Sequence, residues 1–94
     1  MERRVCPVEM LAVCGTEGQL VPLRFRIEDE EQVLQTVRVS EVVSTKENRQ
    51  VGIESLHYVC KVEMGGREQL AELRYALRTH RWVLFPSGCH TPVI

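Results

Sequence analysis

Aromatic residues are scarce in this chain: two phenylalanines, two tyrosines and one tryptophan among 94 residues. A surface that stacks nucleobases needs several exposed rings. Filling one small core would use up most of these five. Long apolar runs are missing as well, and nothing approaches the roughly 18 consecutive apolar residues of a membrane-spanning helix. Charge of one sign is lacking. Twelve Lys and Arg stand against 13 Asp and Glu, a net charge of −1, so no global attraction to a polyanion or an anionic membrane follows. There is no C-x-x-C or H-x-x-x-H spacing for zinc, no H-E-x-x-H, no G-x-S-x-G and no phosphate-cradling glycine loop.

What is present is ordinary for a soluble globular domain: 44 % apolar and 27 % charged residues. No linker, repeat or low-complexity tract divides residues 1–94, so one domain is expected, with 86–94 an irregular C-terminal tail. The start, "MERR" then "VCPVEMLAVCG", has the outline of a secretion or lipoprotein leader. Pro7 and Glu9 interrupt its apolar part, and Val13 is bulky where a small residue should precede the cysteine. The expectation is therefore no leader and a cytoplasmic location. In a reducing compartment Cys6, Cys14, Cys60 and Cys89 are expected as free thiols. A bridge between Cys6 and Cys89, both near chain ends, stays open.

Periodicity points to strands. Leu23, Phe25 and Ile27 alternate with Arg24 and Arg26. Valines dominate Val33 to Val43, and the adjacent Val42 and Val43 break the alternation, which a bulge near Ser40 or Glu41 would explain. In "LHYVCKVEMGG", Leu56, Tyr58, Cys60, Val62 and Met64 share one face. His57 and Cys60, three apart, then point to opposite sides and cannot hold a common metal. Cys60 reads as a core residue and His57 as a solvated one. "CGTEG", "EDEE", "STKENRQ" and the pair Gly65-Gly66 mark turns or loops. The stretch "REQLAELRYALRTHR" fits two periods. Leu70, Leu73 and Leu77 suit a helix, while Leu73, Tyr75 and Leu77 suit a strand. A glycine pair opens a hairpin well but leaves a helix without a cap.

The order of "VPLRF", "VRVSEVV", "GIESLHYVCKV", "ELRY" and the closing Arg81-Trp82 resembles a family of short, uncharacterised bacterial proteins frequent in Gram-positive lineages. The resemblance covers most of Gly18 to Phe85. It implies an antiparallel β-meander curled toward a barrel, with the "ELRY" region extended, and it carries no activity and no functional residue. The "RTHRW" turn departs from the pattern by lacking its usual glycine or asparagine.

The expected fold is thus all-β: five to six antiparallel strands in a barrel or half-barrel, at about Val8–Val13, Leu20–Ile27, Gln32–Thr45, Gly52–Met64, Arg67–Arg78 and Arg81–Phe85. The alternative is an α+β fold with one helix at 67–80. The expected core is Leu23, Phe25, Ile27, Val37, Val39, Leu56, Tyr58, Cys60, Val62, Leu73, Tyr75, Leu77 and Trp82 or Leu84.

Functional expectations are sparse. The adjacent pair Cys89-His90 is a poor chelate and lacks a third group to orient a base. No catalytic residue, metal ligand or cofactor is assigned, and an enzyme is not the expected reading. Outward positions carry Arg24, Arg26, Arg38, Lys61, Arg74 and Arg78, a candidate anion-binding face. Glu41, Glu63 and Glu72 share that face and would pair with those cations. Leu11, Val13, Val59, Val42 or Val43, and Leu70 fall off the inner face and would form a patch suited to a homodimer or another protein partner. The leading expectation is a non-catalytic, self-associating interaction module. Nucleic-acid or anion binding is the alternative, nucleic acid and membrane not being the expected partners.

Overall fold

Alternating apolar and polar residues fold here into six antiparallel strands: β1 (Cys6–Cys14), β2 (Leu20–Glu28), β3 (Leu34–Gln50), β4 (Ile53–Met64), β5 (Arg67–Ala76) and β6 (Arg81–Pro86). The structure is a computed structural model that describes residues 6–28, 31–50 and 52–86. Each strand pairs with the next, and β1 returns to β6 through Cys6↔Leu84, Pro7↔Val83 and Val8↔Trp82, closing a barrel. The all-β meander read from the sequence is the observed fold.

Cross-strand partners share a face, so the register builds the core directly. Phe25 faces Val37, Cys60 faces Ala71, and Leu84 and Tyr58 both face Leu73. Phe25, Val37, Tyr58, Cys60, Val62, Ala71, Leu73, Trp82 and Leu84 are buried in one cluster. Ile27, Val39, Leu56 and Tyr75 pack against it half-buried. Tyr58 and Tyr75 flank Trp82, with ring centroids 5.4 and 5.0 Å from it.

Several expectations are corrected. There is no helix at 67–80. Gly65 and Gly66 both take positive φ, 60° and 79°, the twist that lets a two-residue turn join antiparallel strands, and β5 follows at once. It stops at Ala76, because residues 77–80 form a turn in which the His80 amide donates to the Ala76 carbonyl at 2.8 Å. His80, at φ 59°, takes the left-handed conformation that glycine or asparagine adopts more readily. Arg78 therefore lies in a turn, and Leu77 is half-buried beyond the strand end.

Leu23 is not a core residue but 44 % exposed. The β1–β2 ladder skips from Leu11↔Arg24 to Ala12↔Pro22, so Leu23 is the extra residue of a bulge and Pro22 takes the buried place. "STKENRQ" is strand, not loop. It pairs residue by residue with β4 from Thr45↔Tyr58 to Gln50↔Ile53, and backbone ladders form whatever the side chains' polarity. Gln32 and Val33 precede β3. The tail beyond Pro86, the leader-like residues 1–5, and the Cys89-His90 and Cys6–Cys89 pairs lie wholly or partly outside the described residues.

Candidate functional site

The barrel is closed by unequal ladders. β2 and β3 pair only from Arg24↔Arg38 to Glu28↔Leu34. Past Arg38, β3 continues to Gln50 on β4 alone, while β2 from Leu20 to Pro22 lies on β1 alone. The cause is in β3. Its ladder with β4 jumps from Val39↔Val62 to Glu41↔Lys61, and from Val42↔Cys60 to Ser44↔Val59. Ser40 and Val43 are therefore two bulges, and each bends and twists the strand that carries it. The first was legible in the broken valine alternation. The second was not.

The parting leaves a seam with a recess of about 500 Å³. Gly18, Gln19, Leu20 and Val21 line one side, Val42, Thr45 and Glu47 the other, and Leu56, Tyr58 and Leu77 complete the wall. At its floor the Tyr58 hydroxyl donates to the Leu20 carbonyl at 2.6 Å. A side chain thus reaches across where a strand neighbour would otherwise sit. Burial, with smaller contributions from Cys60 and Tyr75, raises the Tyr58 pKa above its ordinary value and keeps this donor protonated.

Among the described residues, four large exposed apolar side chains flank this seam, while Val33 and Leu34, just before and at the start of β3, lie away from it. Leu11, Val13 and Leu23 on β1 and β2, and Val43 on β3, are each 44–49 % exposed. The choice between Val42 and Val43 is settled by the bulge: Val42 packs on the core and Val43 faces out. Leu70 is exposed elsewhere, on β5, and Val59 is half-buried.

The basic residues are placed as follows. Arg26 is held by Glu9, its Nε donating to Glu9 Oε1 at 2.7 Å. Lys61 lies 3.5 Å from Glu41. Arg74 donates from Nε to Glu72 at 2.9 Å and lies over the Phe85 ring at 4.0 Å. Arg24 and Arg38 stand directly opposite each other on β2 and β3, and Glu63 faces Arg38 from β4. Arg78, in its turn, is exposed but off the sheet.

A polar cluster on the outer face of β4 and β5 escaped sequence reading. Ser55 and His57 share a hydrogen bond at 2.9 Å through Nε2, and His57 Nδ1 lies 3.7 Å from Glu72 Oε2. The signal was the two-residue spacing Ser55-x-His57 and Glu72-x-Arg74, which puts each pair on one strand face. His57 is half-buried rather than solvated. Its pKa is lowered, first by desolvation, then by Arg74 and, less, Lys46, with Glu72 pulling the other way. The order Ser, His, Glu has the outline of a nucleophile, base and orienting acid. However, Ser55 is buried. Its strand is laddered on both sides, to Asn48 on β3 and Ala76 on β5. Ladder amides are committed and cannot turn to a developing oxyanion. The Cys60 thiol, buried in the core, is pushed up to about 11 and stays protonated.

Among the described residues no group of three or more His, Cys, Asp or Glu is placed to hold a metal ion, and no helix is long and apolar enough to cross a membrane. No family model, curated protein or solved structure matches this chain.

Proposed function

We propose that this barrel is a non-catalytic interaction module that self-associates through the seam, a second copy laying its own β3 along the open edge of the first. The coincidence of two features at one place carries this reading. An unpaired strand edge, Val39 to Thr45, invites another strand. The exposed Leu11, Val13, Leu23 and Val43 flank it and supply the apolar burial that backbone pairing alone lacks. The charges do not oppose a second copy. Glu41 is neutralised by Lys61 and Glu47 by Arg49 at 2.9 Å, and a net charge of −1 gives two copies little mutual repulsion.

Sedimentation velocity across a hundredfold concentration range tests this. A dimer that dissociates on dilution is expected, shifted to monomer by Val43→Lys or Leu23→Lys, since lysine on an edge resists pairing. Both side chains are exposed, so the barrel should keep its stability. A monomer at every concentration overturns the reading.

One observation favours a second reading, anion binding. Arg24 and Arg38 oppose each other without an ion pair to a described carboxylate, and like charges so placed repel. An anion between them would relieve that. Retention on heparin that falls steeply with salt and is lost in Arg24→Glu with Arg38→Glu supports it. Passage through at low salt removes it.

A further inference from the structure

We infer that the recess at the seam is a binding site for a small, uncharged, mostly apolar molecule carrying one hydrogen-bond donor, such as a phenol, an aromatic amine or a compact alcohol. The recess shares Val42 and Thr45 with the edge proposed for self-association, so a guest and a second copy would compete for the seam, and the two are told apart at protein concentrations where any dimer is dissociated.

The size is right for it. About 500 Å³ falls within the roughly 300–1,000 Å³ of small-ligand sites. The mouth of a small β-barrel is a recurrent place for such a site.

The wall chemistry sets the class. Leu20, Val42 and Leu56 belong to the inner face and pack against the core, yet each remains only partly covered. They continue the barrel interior into a space that no side chain of β2 or β3 fills. Val21 and Leu77 extend that apolar wall. Water against this apolar part of the wall has few partners and is readily displaced by an apolar body.

Orientation comes from the floor. Tyr58 spends its one proton on the Leu20 carbonyl. Its oxygen and that carbonyl each keep a lone pair, so both act toward a guest as acceptors. A guest with a donor satisfies them, and one with only acceptors does not. Charge is disfavoured. Glu47, at the rim, is already paired with Arg49, and the burial that raises the Tyr58 pKa also penalises an ion placed beside it.

The single tryptophan provides a reporter. Trp82 stacks against Tyr58 at 5.4 Å, so a fluorophore in the recess lies close enough to quench it by energy transfer. The probe is N-phenyl-1-naphthylamine, which is neutral, apolar and carries one N–H. It is titrated at the lowest workable protein concentration, where any self-association is dissociated. Expected are a saturable, blue-shifted rise in dye emission at one site per chain and matching loss of Trp82 emission.

Two variants locate the site. Val42→Trp fills the recess from the wall. Thr45→Phe fills it from an exposed rim position opposite Tyr58, where no buried side chain is replaced, so it keeps the test open if the first variant fails to fold. Each should weaken binding at least about tenfold, equivalent to about 1.4 kcal/mol. Leu11→Lys, on the outer face, should leave it unchanged.

No saturable emission overturns the inference. So does binding that survives Thr45→Phe, or binding lost in Leu11→Lys, which would place the dye on the outer patch. Failure here leaves the association measurement untouched, and a strictly monomeric protein can still bind the dye.

Discussion

Replacing Tyr58 by phenylalanine removes one oxygen and asks whether the seam is held by a side chain. The ring keeps its burial and its stacking on Trp82. What is lost is the 2.6 Å bond to the Leu20 carbonyl. An intramolecular hydrogen bond contributes about 1 kcal/mol net, and a buried partner left unsatisfied costs about 1–3 kcal/mol. Leu20 borders the open recess, so water can reach its carbonyl. The lower end applies, and about 1–1.5 kcal/mol is expected. For a domain of this length that lowers Tm by about 4–12 °C.

Urea unfolding measures it, with the midpoint moving and the slope constant. Tyr75→Phe is the comparison. Its hydroxyl shares a 2.8 Å bond with His80 in an exposed turn, where water replaces it, so less than about 0.5 kcal/mol is expected. Tyr58→Phe within about 0.3 kcal/mol of wild type, or the two variants equal, would show that the phenol does not stand in for a strand partner.

Two further outcomes follow from titratable groups. His57 has its folded pKa lowered below 6.5, chiefly by desolvation. Between the two values the unfolded chain binds more protons than the folded one, so stability is greatest above about pH 6.5, falls as pH drops through that value, and levels off below the folded pKa. His57→Gln should flatten this part of the pH profile of the urea midpoint, and an unchanged profile would assign the slope to other groups. Cys14 is exposed and Cys60 is buried with a thiol pKa of about 11. Iodoacetamide with peptide mapping should label Cys14 in the native protein and Cys60 only after denaturation. Equal rates would mean that the core opens readily.

Much of the fold could be read because two-residue alternation survives wherever one face is buried. Leu56 to Met64 pair with β5 without a break, and the alternation there was clean. Reading failed where the rhythm was shifted or carried no apolar signal. Leu23 sits between an arginine and a proline and looks inward by parity. Only the bulge against Leu11 and Ala12 turns it out, and a bulge depends on the partner strand. Thr45 to Gln50 are polar in sequence throughout yet ladder with β4 residue by residue, and hydropathy cannot see a strand held by backbone bonds. The recess was hidden for a related reason. It arises where the bulged β3 parts from β2 past Arg24↔Arg38, a relation between strands that no local pattern encodes. His57 was misjudged because its cover comes from Ser55 and Glu72, side chains on its outer face.

The unequal strands also decide how the open edge should be understood. A barrel removes edges by closing, and natural sheets that cannot close blunt their edges with charge, proline or bulges. Here β2 carries Pro22 and a bulge at its parting, and β3 carries two bulges. By that measure the edge is guarded, and the guarding limits pairing to a short run. Yet the protection is incomplete in one respect. The second bulge of this strand places Val43 outward, half-exposed and without charge, next to Val42 on the recess wall. Burying a valine fully gains about 1.5–3 kcal/mol over leaving it in water, and for a side chain already half-covered roughly half of that remains to be gained. That term is present in both copies of a symmetric pair, whereas lost translational and rotational freedom is charged once. Val43→Thr therefore separates guarding from use. It leaves the shape, the bulge and the charges in place and removes only the apolar gain. If the edge is merely guarded, the association constant is unchanged by it. If the edge is a contact surface, Kd rises by about tenfold or more, because each copy loses its part of the same buried area.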